Sequence, residues 1–170
     1  MNAHTPLTKD TAEAAAHDVV QYVTVRIGPQ LFGLPIALVH EVFVPESITR
    51  VPLAPGEIAG VLNLRGRIVT MVAMRRLLSL PDAEGAPMAV GIEHHGEAFG
   101  LIIDEVGEVL SLDAVRREAN PANLDPRWAQ VAAGVHRLSG DLMLILNVDL
   151  VLDRAGSAVA RQDAGKRAEL

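Results

Sequence analysis

The sequence contains no cysteine. That removes disulfides, thiolate nucleophiles and cysteine-based zinc sites together. Aromatic residues make up only 3% of the chain, too few for the stacking platforms that hold single-stranded nucleic acids. A basic excess is also missing. Lys and Arg number 15 against 21 Asp and Glu, a net charge of −6, whereas duplex binders carry a basic face. No nucleic-acid partner is therefore expected. No apolar run approaches the roughly 18 residues that span a bilayer; the densest stretch is Leu142 to Leu146. Met1 to His17 includes Lys9, Asp10 and Glu13 and no apolar core of a signal peptide. Neither export nor membrane insertion is expected, and the cytoplasm is the default compartment. Gly-x-Ser-x-Gly, P-loop and dinucleotide fingerprints do not occur.

What is present is apolar and strand-like. Hydrophobic residues make up 49% of 170, enough for a real core. Val23, Val25 and Ile27 alternate with polar neighbours, the period of a half-buried strand. Gly28-Pro29 and His94-His95-Gly96 read as turns between strands. Ile68 to Val72 and Leu142 to Leu146 read as strands covered on both faces. Helical signals are few: one turn near Pro55 to Ala59, and a short helix opened by Asp125 as N-cap and Pro126 at its first position. Residues 1–20 and 154–170 read as tails, and Ser79 to Pro87 as a linker.

The most informative pattern is an internal repeat. Phe32-Gly33-Leu34 through Val42 aligns with Phe99-Gly100-Leu101 through Val109 at an offset of 67 (99 − 32 and 109 − 42). Gly60 to Gly66 aligns with Gly134 to Gly140 at an offset of 74 (134 − 60), the seven extra residues falling around Asn120 to Trp128. Two hairpin-rich copies predict two similar small β-barrels, approximately residues 21–80 and 87–153, with strands open to exchange between them. Units this small bury little apolar surface alone. Packed together they form a groove, a common place for binding.

Gly60-Val61-Leu62-Asn63-Leu64-Arg65-Gly66-Arg67-Ile68-Val69 resembles the hallmark segment of the CheW family of chemotaxis coupling proteins. Val39-His40-Glu41-Val42, the Val51-Pro52 to Pro55 approach, Phe99 to Val106, and Gly134-Val135 leading to Leu152 fit the same pattern, so the resemblance spans about residues 20–153. The chain departs from it at Thr70, Ala73 and Met74, where the family carries Pro, an acid and Leu; Arg75 is retained. The resemblance implies an all-β fold of two SH3-like five-stranded barrels related by a pseudo-twofold axis, and no catalysis, cofactor or metal. It implies two partners: the regulatory domain of a CheA-type histidine kinase and the cytoplasmic tip of methyl-accepting chemoreceptors, with recruitment to receptor arrays. The kinase-binding candidates are Val39, Glu41, Val42, Phe43 and Met71. The receptor-binding candidates are Gly60, Asn63, Arg65, Val106 and Val109. Glu41 and Arg65 are also expected within salt-bridge reach of each other. An alternative is a scaffold of a divergent pathway that binds kinase but not classical receptors.

Other residues carry plainer readings. Gly33, Gly66, Gly100 and Gly140 suit turns or close packing. Asp104 and Glu105 face opposite ways on a strand and do not form an acid–base pair. His40 and His136 receive no chemistry. His94 and His95, adjacent in a strand or turn, are expected to point in different directions, and no Asp, Cys or His sits at ligand spacing from them, so they are not expected to hold a metal.

Overall fold

The structure is a computed structural model, and it describes residues 18–153 and 155. The expected tails fall almost wholly outside these residues; the first strand already begins at Val19. The strands are β1 (Val19–Ile27), β2 (Gln30–Pro35), β3 (Val39–Phe43), β4 (Ile58–Leu64), β5 (Arg67–Ala73), β6 (Met88–His94), β7 (Glu97–Ile103), β8 (Glu105–Asp113), β9 (Ala132–Leu138) and β10 (Asp141–Leu146). Short helices α1 (Met74–Leu77) and α2 (Pro126–Ala129) follow β5 and precede β9. A last helix, α3, covers 148–153.

The all-β expectation holds. Sheet one runs β8-β1-β2-β10-β9 and sheet two runs β3-β6-β7-β5-β4. Adding five to each strand number of the first copy turns one order into the other. The sheets do not follow the division of the chain into 21–80 and 87–153. Each is built from the opening hairpin of one copy and the last three strands of the other, so the strands are exchanged. Among the described residues no backbone ladder joins the two ends of either sheet.

The repeat offsets survive as hydrogen-bond register. Val69 pairs with Ala98 in parallel in sheet two, and Met143 pairs with Leu31 in parallel in sheet one. Val39 pairs with Ile92, and Val106 with Val25. Each second pair follows from the first by the 74- and 67-residue offsets read in the sequence. The extra residues of the second copy lie where α2 sits. Asp125 caps that helix by accepting from the Arg127 N–H, and Pro126 occupies its first turn. Trp128 is thereby buried, edge-on to Phe32 with ring centroids 5.8 Å apart.

Burial follows from the same symmetry. One large core lies between the sheets, with Val25, Ile27, Phe32 and Leu34 from sheet one against Val72, Val90, Leu101 and Ile103 from sheet two. Each sheet then covers a smaller core on its other face. Leu62, Val69, Met71 and Ala89 form one, and Tyr22, Met143 and Ile145 the other. These two clusters are copies: Val69, Met71 and Ala89 correspond to Met143, Ile145 and Tyr22. Two expectations are corrected here. β1 is covered on both faces, since Tyr22 and Thr24 are buried as well as Val23, Val25 and Ile27. β5 is less covered than expected, because Ile68 at its start is exposed.

Gly33 and Gly100 have close-packing roles. A Cβ on Gly33 would lie 2.7 Å from the Met143 sulfur, and one on Gly100 2.7 Å from the Met71 sulfur. Gly66 and Gly140 instead take positive φ in two-residue turns.

Candidate functional site

The hairpin between β4 and β5 carries the most distinctive side chains. Leu64 pairs with Arg67, leaving Arg65 and Gly66 as the turn, with φ of 53° and 85°. Both central residues being left-handed is the turn geometry that matches strand twist. The Asn63 side-chain oxygen accepts from the Gly66 N–H at 2.8 Å and holds the tip. Arg65 is thrown outward, 71% exposed, and donates to the carboxylate of Glu41 on β3. The pair bridges the two end strands of sheet two, β3 and β4, which the backbone leaves unpaired. The expected proximity of Glu41 and Arg65 is thus present.

Glu41 lies on an edge strand whose residues divide by face. Val39 and Phe43 are half-buried, Val39 against the central core and Phe43 against the smaller core of sheet two. Val42 is 40% exposed. The counterpart edge strand of sheet one, β8, repeats the division: Val106 packs partly against the central core and Val109 is 49% exposed. Val42 and Val109 therefore occupy equivalent places on the two sheets, as Val39 and Val106 do.

Two candidates fail on burial. Met71 is fully buried beneath Gly100 and offers no surface to a kinase. Its strand is covered on that side by β7 and by the smaller core. Gly60 is buried as well, with φ of 146°, and a Cβ there would collide with the backbone oxygen of Thr49. It permits close approach of the chain to itself, through the backbone bridge between Thr49 and Val61. Gly134 repeats this beside Glu118, which bridges to Val135.

The grooves at the ends of the two sheets differ. At sheet one a groove of about 490 Å³ is lined by Thr24, Arg26, Leu31, Val106, Leu110 and Ser139, among others. Its counterpart at sheet two measures only about 80 Å³. There Phe43 stands in place of Leu110, and Arg65, in place of Ser139, reaches Glu41. The rim ion pair is kept with its signs exchanged: Arg26 with Asp141 at 3.1 Å, Glu93 with Arg67 at 3.2 Å. Val106 thus lines a groove of sheet one alone; Asn63 and Arg65 are not in its walls.

The sheets are fastened to each other by Asp104, where the chain leaves β7 for β8. Its carboxylate accepts two bonds from Arg75 in α1, from Nε and Nη2 at 2.7 Å each, and one from the Gly28 N–H at 2.7 Å. The Arg75 hydrogen bond holds the Asp104 carboxyl below the usual carboxylate range; burial opposes this and the Gly28 N–H assists it. Glu105 points to solvent, as the alternation of a strand requires.

The expectation that His94 and His95 point apart and lack partners is corrected: their ring centroids lie 4.0 Å from each other. Among the described residues they are joined by Asp153, which α3 delivers from 59 residues away. Local spacing carries no trace of that contact.

Two interlocked five-stranded sheets, edge strands bearing exposed valines, and a hairpin tip pinned by an ion pair define a duplicated all-β module. The chain belongs to the CheW-like domain family, which it matches over residues 21–156. It is 24% identical over 139 residues to the chemotaxis protein CheW of Helicobacter pylori, covering 81% of this chain and 84% of that one. It is 27% identical over 117 residues to the chemotaxis protein CheW of Bacillus subtilis, covering 68% and 75%. Among solved structures, the scaffolding protein TtCheW of Thermoanaerobacter tengcongensis superposes with a TM-score of 0.69 at 27% identity, covering 77% of this chain and 86% of that one.

Proposed function

We propose that this protein is a chemotaxis adaptor that couples a CheA-type histidine kinase to methyl-accepting chemoreceptors and performs no catalysis itself. The observation that carries the reading is the pair of equivalent edge strands, β3 and β8, one on each sheet, each presenting an exposed valine. Two like surfaces on one rigid body suit a part that must hold two partners at once. The kinase reading takes Val39, Glu41, Val42 and Phe43 along β3, an apolar strip with a charged residue at its edge. The receptor reading takes Asn63 and Arg65 at the hairpin tip with Val106 and Val109 on β8, Gly60 acting only through backbone shape. No helix among the described residues is long and apolar enough to cross a membrane; attachment to a receptor array is assigned to the contacts above. Individually weak contacts suffice there, because a lattice of receptors supplies avidity.

Co-sedimentation with receptor-containing membranes, with and without kinase, tests the reading. The adaptor should pellet with receptors alone and carry added kinase into the pellet. Kinase binding in solution without receptor pelleting would establish instead a scaffold of a divergent pathway. Binding to neither would overturn the proposal.

A further inference from the structure

The cluster around His94 takes no part in the adaptor surfaces above. β6 ends at His94, and His95 follows with φ of 50° in the two-residue turn to β7. That turn sets the two imidazoles side by side, ring centroids 4.0 Å apart. The last helix presents Asp149 and Asp153, four residues apart and hence on one face. Asp153 Oδ1 lies 2.7 Å from His94 Nε2 and 3.8 Å from His95 Nε2. Asp149 Oδ1 lies 3.5 Å from the other nitrogen of His94, Nδ1. The His94 side chain is only 10% exposed and rests edge-on against Phe99, whereas His95 is 79% exposed.

Two features of this geometry point to a ligand. A neutral imidazole carries one N–H and can donate to only one of the two carboxylates that face His94, whereas a charged ring would donate to both and leave no lone pair at Nε2 for an ion. The neutral ring can serve both if Nδ1–H donates to Asp149 while the Nε2 lone pair binds a cation shared with Asp153. Carboxylate–imidazole–metal is the arrangement that fixes tautomer and ring orientation in metal sites. The spacing also fits. Tetrahedral ligands about 2.0–2.1 Å from a zinc ion stand roughly 3.3 Å apart, and 2.7 and 3.8 Å bracket that value. All three ligand atoms lie within 4.8 Å of one another.

We propose that His94 Nε2, His95 Nε2 and a carboxylate oxygen of Asp153 bind a divalent transition-metal ion of the zinc class, with Asp149 orienting His94. The fourth position is open to water. The ion ties α3 to the β6–β7 hairpin of sheet two. Because α3 follows β10 of sheet one directly, the ion acts as a second fastening between the sheets, besides that at Asp104. Two imidazoles and a carboxylate favour zinc, copper or nickel over magnesium or calcium, which prefer all-oxygen shells.

The test uses the full, tag-free chain. Equilibrium dialysis against Zn²⁺ should show one ion bound per chain with micromolar or tighter affinity. Co²⁺ in its place should give the intense visible bands of a tetrahedral site. Zn²⁺ should raise the thermal midpoint and slow amide exchange across 148–153. His95→Gln, at an exposed ring, and Asp153→Asn should each weaken binding at least tenfold while melting as the parent does in EDTA. His40→Gln should change nothing. Absence of binding up to 100-fold the micromolar range, or one ion still bound with parental affinity in both His95→Gln and Asp153→Asn, overturns the proposal. The first result would leave His94 as a hydrogen-bonded clamp on α3, the second would place the ion elsewhere. Neither bears on kinase or receptor coupling.

Discussion

Arg75 grips Asp104 with two parallel hydrogen bonds of 2.7 Å, and Asp104 in turn accepts from the Gly28 N–H of the opposite sheet. Both side chains are mostly covered, at 23% and 22% exposure. Asp104→Asn should cost about 2 kcal/mol at pH 7, the size of a charge-assisted bond lost inside a protein. The carboxyl is held below its unfolded range, so its contribution is complete above about pH 4 and fades as pH falls through the folded value. Urea unfolding at pH 7 and at pH 2.5 should show the parent–variant gap closing in acid. A gap that is constant with pH would show that packing rather than charge is lost.

His136 occupies, in the smaller core of sheet one, the place Leu62 takes in that of sheet two. It is buried, its Nε2 has no hydrogen-bond partner among the described residues, and burial followed by the nearby Arg117 charge pushes its pKa down. The folded protein therefore refuses a proton that the unfolded chain accepts below about pH 6.5. Stability is full above that pH and declines below it. His136→Leu should remove the decline. Relative to the parent it should gain on the order of 1 kcal/mol between pH 7 and pH 5, after forfeiting the edge contact with Tyr22. Thermal melts across that range read the slope directly.

Arg65 combines an exposed charge with a left-handed backbone. Arg65→Asn keeps a residue that tolerates that backbone and removes the ion pair to Glu41. Because the pair is exposed, stability should fall by less than about 1 kcal/mol. Receptor co-sedimentation should fall severalfold if Arg65 touches a partner. Exchanging the charges, Glu41→Arg with Arg65→Glu, should restore the intramolecular pair. Restored coupling in that double variant would mean the pair acts only within the protein.

Gly60→Ala and Gly134→Ala should each destabilise by about 1–3 kcal/mol, since both force a side chain into positive φ and against a backbone oxygen. Similar losses at the two sites, measured by chemical unfolding, would confirm that they do the same job in the two copies. Any partner defect of Gly60→Ala should then scale with its loss of folded protein.

Much of the fold was legible because a duplicated sequence is its own alignment. The 67- and 74-residue offsets, read from matches such as Phe32 with Phe99, reappear in the strand register. The exchange of hairpins was not legible, since the repeat reads the same whether β1 and β2 pair with strands of their own copy or of the other. Glu41 with Arg65 could be foreseen from two motifs at recognisable places. The burial of Met71 was legible, since Ile68 to Val72 reads as a strand covered on both faces, and that reading does not fit a kinase contact at Met71. Asp153 escaped notice for a different reason: helix α3 is placed by Val151 and Leu152 entering the central core, a long-range event.

The exchanged hairpins have a consequence for the growing chain. When β1 and β2 emerge from the ribosome, their neighbours in sheet one, β8 and β10, are not yet made. The nascent hairpin offers an apolar face and two open edges until nearly the whole described chain has been synthesised, so its protection during translation falls to charge, speed or chaperones. Cutting the gene at the linker yields two halves of which neither contains a complete sheet. Mixed together, those halves should find each other and rebuild both sheets, each fragment serving as the template on which the other folds.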